Sequence, residues 1–302
     1  MTKKKKKRAK AKATPRRPMA DKLVKKLRAF KNDKVVDLSA VREGKNNAEE
    51  LQKTVVTRDD LADLHPAHAM YVYAQNQTSL IAEQVIMLPE MERFARLIGK
   101  AEDEYLPGGP PMSPLTTSFF TCWAFFDACV GLGRETLGTI LMAASKELGI
   151  HEGLVRLIGL MQDSRMAVFA HEGTDGDRLV LRELVTDRVS RTICPSGYMG
   201  HPGELWYARV LPPPTPQLEE HVVFTTPYVL KEPGEREWLA YFDRTLSDGP
   251  RERQLAALER HMKWGPTRDY WTEFVFEAYA GHQTEVIFLV GLPDVAESRP
   301  HG

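Results

Sequence analysis

Cysteine is scarce in this sequence, and its spacing suits no structural role. The 302 residues contain three cysteines, Cys122, Cys129 and Cys194. Three thiols cannot form an even-numbered disulfide framework, and no two of them have the close spacing of paired zinc ligands. We therefore expect free thiols and a reducing compartment, which is the cytoplasm, or the nucleus if the source is eukaryotic.

Long apolar runs are missing as well. The most apolar stretch covers the 16 residues 115–130 and contains Asp127, whereas a membrane-spanning helix needs about 20 apolar residues. The basic N-terminus is followed by no apolar segment of the kind that secretory signals contain, so we expect no signal peptide. The sequence predicts a buried helix at 115–130 and no transmembrane segment.

Complete catalytic motifs are also lacking. The sequence has no P-loop, no G-x-G-x-x-G dinucleotide fingerprint, no EF-hand loop and no G-x-S-x-G nucleophile elbow. The protein classes that these motifs identify therefore have no support here. No cofactor is predicted.

What the sequence does have is a strong charge asymmetry. Residues 1–34 hold 16 of the 41 Lys and Arg residues but only two of the 41 Asp and Glu residues, which gives a net charge of +14. Residues 35–302 hold the remainder and carry −14. Ten cations precede residue 18 without an acidic neighbour: Lys3, Lys4, Lys5, Lys6, Lys7, Arg8, Lys10, Lys12, Arg16 and Arg17. Such a tail suits nucleic acid or another polyanion, or the chain's own acidic body.

Hydrophobic periodicity predicts an α+β fold built from four segments. They are a disordered basic tail ending in a short amphipathic helix (1–34), a helical block (35–163), a small antiparallel β-domain (164–230) and a helical C-terminal block (231–302). Five strand-length runs separated by Gly, Pro and Asp predict a five-stranded, barrel-like β-domain, because closure removes exposed strand edges. Asp175-Gly176 predicts a tight hairpin. The run at 285–292 fits either a final strand or a helix end.

The amphipathic helix of the first segment has two interpretations. Its apolar stripe consists of Leu23, Val24, Leu27 and Phe30, and a basic helix of this kind can lie on a membrane or on an acidic protein face. A stripe of about two turns needs tertiary support, however. We therefore favour docking of this helix on the protein's own core.

The loop between the third and fourth predicted strands carries the residues best suited to function. Cys194, His201 and Glu204 could supply a nucleophile, a base and an orienting group within eleven residues. Recognition of a partner through Tyr198 and His201 is the alternative, and a purely structural loop is the third interpretation.

A histidine pair provides the candidate metal site. His65 and His68 have acidic residues just upstream, and two imidazoles with a carboxylate can bind zinc. Pro66 lies between them, so the pair does not occupy one regular helical face, and a polar helix junction is the simpler interpretation. No metal site is therefore predicted.

The fourth predicted strand has two distinct faces. Alternation places Trp206 in the core and Tyr207 with Arg209 on the opposite face. With Arg178, Arg182 and Arg191, that second face could form an outer basic surface that binds single-stranded nucleic acid.

Two functional hypotheses follow from these features. The first is a non-catalytic binding or adaptor protein, whose polybasic tail contacts nucleic acid or another anionic surface while the β-domain and its 194–204 loop engage an unidentified protein partner. The alternative is a hydrolytic enzyme that uses a metal at His65 and His68 or the loop of Cys194 and His201.

Overall fold

Helices surround a β-barrel in this α+β protein, as predicted. The computed structural model describes residues 18–32, 54–106, 113–246 and 249–295, so the ten cations of the tail lie outside the described residues. Within those ranges the helices are α1 (Pro18–Asn32), α2 (Pro66–Ile86), α3 (Glu92–Tyr105), α4 (Thr117–Cys122), α5 (Leu137–Leu148), α6 (Glu152–Asp163), α7 (Glu235–Thr245), α8 (Arg251–Trp264) and α9 (Tyr270–Glu277). None of these helices combines the length and apolar character that a bilayer span requires.

The strands form a small hairpin and one large sheet. The hairpin consists of β1 (Cys129–Val130) and β2 (Glu135–Thr136). The sheet contains β3 (Met166–Asp175), β4 (Arg178–Glu183), β5 (Val189–Ile193), β6 (Leu205–Leu211), β7 (His221–Val223), β8 (Tyr228–Glu232), β9 (Tyr279–Gln283) and β10 (Val286–Val290).

Five strands of the sheet close into the predicted barrel. Their order is β3-β4-β5-β7-β6, and β6 pairs with β3 to complete the ring. The barrel pairs are antiparallel except for β5 and β7, which run parallel. The predicted hairpin joins β3 to β4, with Asp175 opposite Arg178 and with Gly176 at a φ of 62°. Glycine adopts this left-handed conformation without steric cost.

The fifth predicted strand is divided in two. The N–H of Arg209 on β6 donates to the side chain of Thr225, and Pro227 has no N–H to offer. The hydrogen-bond ladder along β6 is therefore interrupted between β7, which belongs to the barrel, and β8, which extends the sheet outside the barrel. β8 pairs in parallel with β10, and β10 pairs with β9, so the run at 285–292 contains a strand.

Both faces of β6 are buried. Trp206 and Ala208 face the barrel interior, whereas Tyr207 faces the helices and stacks on Trp271 of α9 with ring centroids 5.1 Å apart. The largest core cluster joins residues of α3, α4, the barrel and α7 to α9. Arg209, on the same face as Tyr207, is also fully buried.

The predicted outer basic surface is therefore wrong. Its two β6 residues lie beneath the helices, and its other arginines are neutralised. Arg178 lies 2.5 Å from Asp177, Arg182 contacts Glu172 and Glu235, and Arg191 lies 3.1 Å from Asp175.

Helix α1 docks on the body through its N-terminus and its apolar stripe. The backbone N–H groups of Met19 and Ala20 donate to the buried Glu135 carboxylate at 3.1 and 2.9 Å. A carboxylate at this position also complements the helix dipole. Leu23 is fully buried in the cluster with α5, whereas Phe30 is exposed. The favoured interpretation of the amphipathic helix is confirmed for its first half.

Candidate functional site

The loop 194–204 is built tightly onto the end of β6. His171 of β3 accepts the Gly173 N–H at Nδ1, so its Nε2 carries the proton and donates to the Met199 carbonyl at 3.0 Å. The backbones of His171 and residues 203–204 exchange two further hydrogen bonds. The Tyr198 ring packs against Trp206 with centroids 5.4 Å apart. These contacts hold the loop in one conformation.

Gly200 allows the loop to approach β6. Its φ is 59°, and a Cβ at this position would lie 2.6 Å from Glu204 Oε2 and 2.7 Å from Trp206 Cζ2. Glycine is therefore required here for both backbone conformation and space.

The three predicted catalytic residues have separate environments. The Cys194 thiol lies 3.3 Å from Ser196 Oγ, and burial raises the pKa of that thiol despite the Ser196 hydrogen bond. Glu204 accepts hydrogen bonds from Tyr198 Oη at 3.1 Å and from Trp206 Nε1 at 3.2 Å. His201 is exposed, and its side chain forms no hydrogen bond with the described residues. No contact joins Cys194 to His201, so this conformation does not assemble a nucleophile with its base.

The loop presents exposed side chains next to a half-buried aromatic ring. Met199 and His201 are exposed, and Tyr198 is half-buried beside them. Burial, together with the Glu204 carboxylate, raises the pKa of Tyr198 to about 12, so its hydroxyl remains a hydrogen-bond donor at neutral pH. The Tyr198 and His201 pair of the recognition hypothesis therefore lies on one ordered loop.

The histidine pair 65/68 has a structural role at the start of α2. His65 Nδ1 accepts the Ala67 N–H at 3.2 Å and caps the helix, while its Nε2 lies 3.9 Å from Glu220. His68 packs against Phe224, and burial lowers its pKa, with a smaller contribution from His65. The described residues contain no group of three or more His, Cys, Asp or Glu side chains that could bind a metal.

A buried charge cluster that the sequence pattern does not indicate lies between the barrel and the helices. Arg209 forms an ion pair with Asp127, and Lys263 of α8 lies 3.9 Å from the same carboxylate. The main-chain carbonyl of Asp127 accepts the Trp264 indole N–H at 2.8 Å. The polar groups hold the end of the apolar run 115–130 against α8. Burial raises the pKa of Asp127, an effect that Arg209 opposes.

A polar cavity, which the sequence pattern does not indicate either, lies at one end of the barrel, and we call it the barrel-mouth cavity. Its lining comes from the starts of β3, β5 and β7 and the ends of β4 and β6, together with α6 and α8. Its volume is about 260 Å³. Its polar lining includes Asp163, Arg165, Glu183, Arg188, Ser190, His221 and Glu259.

Comparisons with known proteins give no match. No family model, curated protein or solved structure matches this chain. Function must therefore be inferred from the chemistry of the sites themselves, since a fold alone does not define one.

Chemically, the described sites offer groups that can donate and accept hydrogen bonds. Loop 194–204 offers hydrogen-bonding and aromatic groups held in place by Trp206 and His171. The barrel-mouth cavity offers a guanidinium and an imidazole without an adjacent nucleophile and base in hydrogen-bond contact. Both arrangements hold polar groups in fixed positions, which favours selective binding.

Proposed function

We propose that this chain is a non-catalytic binding protein of the cytoplasm. Its polybasic tail contacts nucleic acid or another polyanion, while the barrel and its 194–204 loop engage a protein partner. The single observation that carries the proposal is the charge asymmetry, in which ten cations precede an acidic body that carries −14 beyond residue 34. Clustered cations bind phosphates without sequence preference by releasing counterions.

The docking of α1 supports a tail that acts together with the body. The run of ten cations ends directly before Pro18, and the N–H groups of Met19 and Ala20 donate to Glu135. A polyanion bound by the tail would therefore lie close to the barrel and helices, where a second partner could be engaged at the same time.

The competing partner for the tail is the acidic body itself. On α1, Arg28 and Lys31 both lie within ion-pair distance of Glu147, at 2.9 and 3.5 Å. If the tail bound the acidic body, it would form further ion pairs of this kind. Any test of nucleic-acid binding must therefore compare the tail with matched cations elsewhere in the chain.

The test is fluorescence anisotropy of labelled duplex and single-stranded DNA over a salt series. Full-length protein should bind with a log–log salt slope of about −5 if six cations contact phosphates. A variant with all ten tail cations replaced by Gln should lose this binding. A control variant, Lys22→Gln/Lys25→Gln on the exposed face of α1, should keep most of it. Equal binding by the wild type and the ten-Gln variant would refute the proposal.

The loop partner requires a separate test. A photo-crosslinking residue at position 201 should capture a specific protein in cells of the source organism. The same residue at the exposed Leu132 serves as the control position. Identical products from both positions would contradict a role for the 194–204 loop.

The hydrolytic alternative has no supporting contact among the described residues. A nucleophilic Cys194 would need to be a thiolate, and burial raises its pKa. Thiol-reactivity profiling of Cys194 and metal analysis of the purified protein would revive this alternative if they revealed a reactive thiol or a bound metal.

A further inference from the structure

We propose that the barrel-mouth cavity binds a small oxyanion, such as a carboxylate or phosphate group, through Arg188 and His221. This site is independent of the tail and of loop 194–204.

His221 enters the cavity because of strand register. It lies opposite Thr192 in the parallel β5–β7 pair. Thr192 and Ser190 both face the interior of the barrel from β5. Directly opposed residues project to the same side of a sheet. His221 therefore faces the barrel mouth at the first residue of β7.

The imidazole of His221 lacks hydrogen-bond partners. Both ring nitrogens are buried, and neither forms a hydrogen bond of normal geometry with the described residues. Burial lowers the pKa of His221 to about 4, with a further contribution from Arg188, while the Arg191 backbone opposes the shift weakly. The ring is consequently neutral at pH 7 and has one unsatisfied donor and one unsatisfied acceptor. A ligand that supplies partners removes this cost.

Among the arginines of the barrel segment 164–230, Arg188 alone has no carboxylate within ion-pair distance in the described part of the chain. Residues 164–230 contain six arginines and no lysine. Five of them, Arg165, Arg178, Arg182, Arg191 and Arg209, lie within ion-pair distance of an Asp or Glu side chain. Arg188 has no such partner among the described residues, and it borders the same cavity as His221.

The acidic side chains of the cavity are placed so that they do not neutralise Arg188. Arg165 is buried and lies 2.6 Å from Glu183 and 2.8 Å from Glu259. The guanidinium of Arg165 thus holds both carboxylates, and Asp163 is the remaining acid at the rim. The edge formed by Arg188 and His221 therefore accepts an oxyanion, and the two carboxylates held by Arg165 lie at the opposite edge.

The experiment is an NMR titration of the full-length protein that monitors histidine ring signals at constant ionic strength. Nine histidines are present, and His221→Gln identifies the signal of interest by its loss. Sodium phosphate and sodium acetate are titrated separately, since they distinguish a phosphate site from a carboxylate site. Ethylammonium chloride tests for a cation site.

We expect phosphate or acetate to move the His221 signal saturably while the signals of exposed histidines stay in place. Arg188→Ala should weaken binding by about ten- to hundredfold, the effect of losing a charge-assisted hydrogen bond. Arg191→Ala is the matched control, because that arginine lies on β5 three residues after Arg188, is exposed and pairs with Asp175.

Three results would overturn the proposal. They are no saturable movement with either anion, equal affinities in wild type and Arg188→Ala, or movement with ethylammonium alone. Unchanged histidine signals elsewhere in Arg188→Ala establish that a loss of binding does not reflect unfolding.

Discussion

Replacing Asp127 with alanine should destabilise the fold strongly. The Arg209 side chain is only 1% exposed, and Asp127 is the only carboxylate within ion-pair distance of it among the described residues. Nε and Nη1 of Arg209 already lack partners. Removing the carboxylate would leave a buried guanidinium uncompensated, which costs about 3–5 kcal/mol. Burial also lowers the pKa of Lys263, so its buried charge is less costly to remove than that of Arg209, which stays charged.

The matched control is a second Asp–Arg pair in a different environment. Asp294 pairs with Arg244 at 2.6 and 2.8 Å, in a bidentate geometry, but the two side chains are 30% and 42% exposed. Asp294→Ala should therefore cost only about 0–1 kcal/mol. The contrast between the two variants isolates burial, since the residue types are the same.

Urea unfolding followed by tryptophan fluorescence measures both variants. Trp264 is a suitable reporter, because its indole N–H donates to the Asp127 carbonyl. The double variant Asp127→Ala/Arg209→Met should recover most of the loss, because it removes the orphaned charge. If Asp127→Ala costs no more than Asp294→Ala, or if the two substitutions in the double variant are additive, then the buried-charge explanation is wrong.

Two further predictions concern a buried histidine and the loop glycine. Burial lowers the pKa of His261 to about 4. The stability that neutral His261 contributes is therefore complete above about pH 6.5 and is lost as the pH falls through 4. The free energy of unfolding should fall by up to ~1.4 kcal/mol per pH unit in this window. His261→Gln should flatten the urea-derived stability profile in that window by up to this slope, and an unchanged slope contradicts the assignment. Gly200→Ala should lower the free energy of unfolding by about 1–3 kcal/mol more than Gly203→Ala. Both glycines have a positive φ, but only Gly200 lacks room for a Cβ. Equal losses in the same assay would show that the clash is relieved.

Much of the fold could be predicted because local patterns determine it. Turn residues divided 164–230 into strand-length runs, and the barrel follows from the need to remove strand edges. The faces of β6 were assigned correctly by alternation, with Trp206 inside. The exposure of the second face was predicted wrongly, because Trp271 of α9 covers the Tyr207 side. The sequence of one strand does not indicate which helices from distant segments pack on it.

The sites were harder to predict because they depend on register and distant contacts. Cys194, His201 and Glu204 are close in sequence, yet Glu204 is engaged by Trp206 and Tyr198 rather than by His201. The lining of the barrel-mouth cavity comes from strand ends that meet only after closure. His221 could be placed there only once the parallel β5–β7 pairing was known.

The charge distribution separates the two proposed anion sites physically. Within the barrel segment nearly every arginine pairs with a carboxylate, so the barrel presents no extended basic surface to a polyanion. The polyanion binding that we propose would then depend on the tail, where many contacts would release many counterions and affinity would fall steeply with salt. A single oxyanion at Arg188 releases no condensed counterions, so its affinity should change far less over the same salt range. The two sites can therefore be distinguished by salt dependence even when phosphate is the group recognised at both.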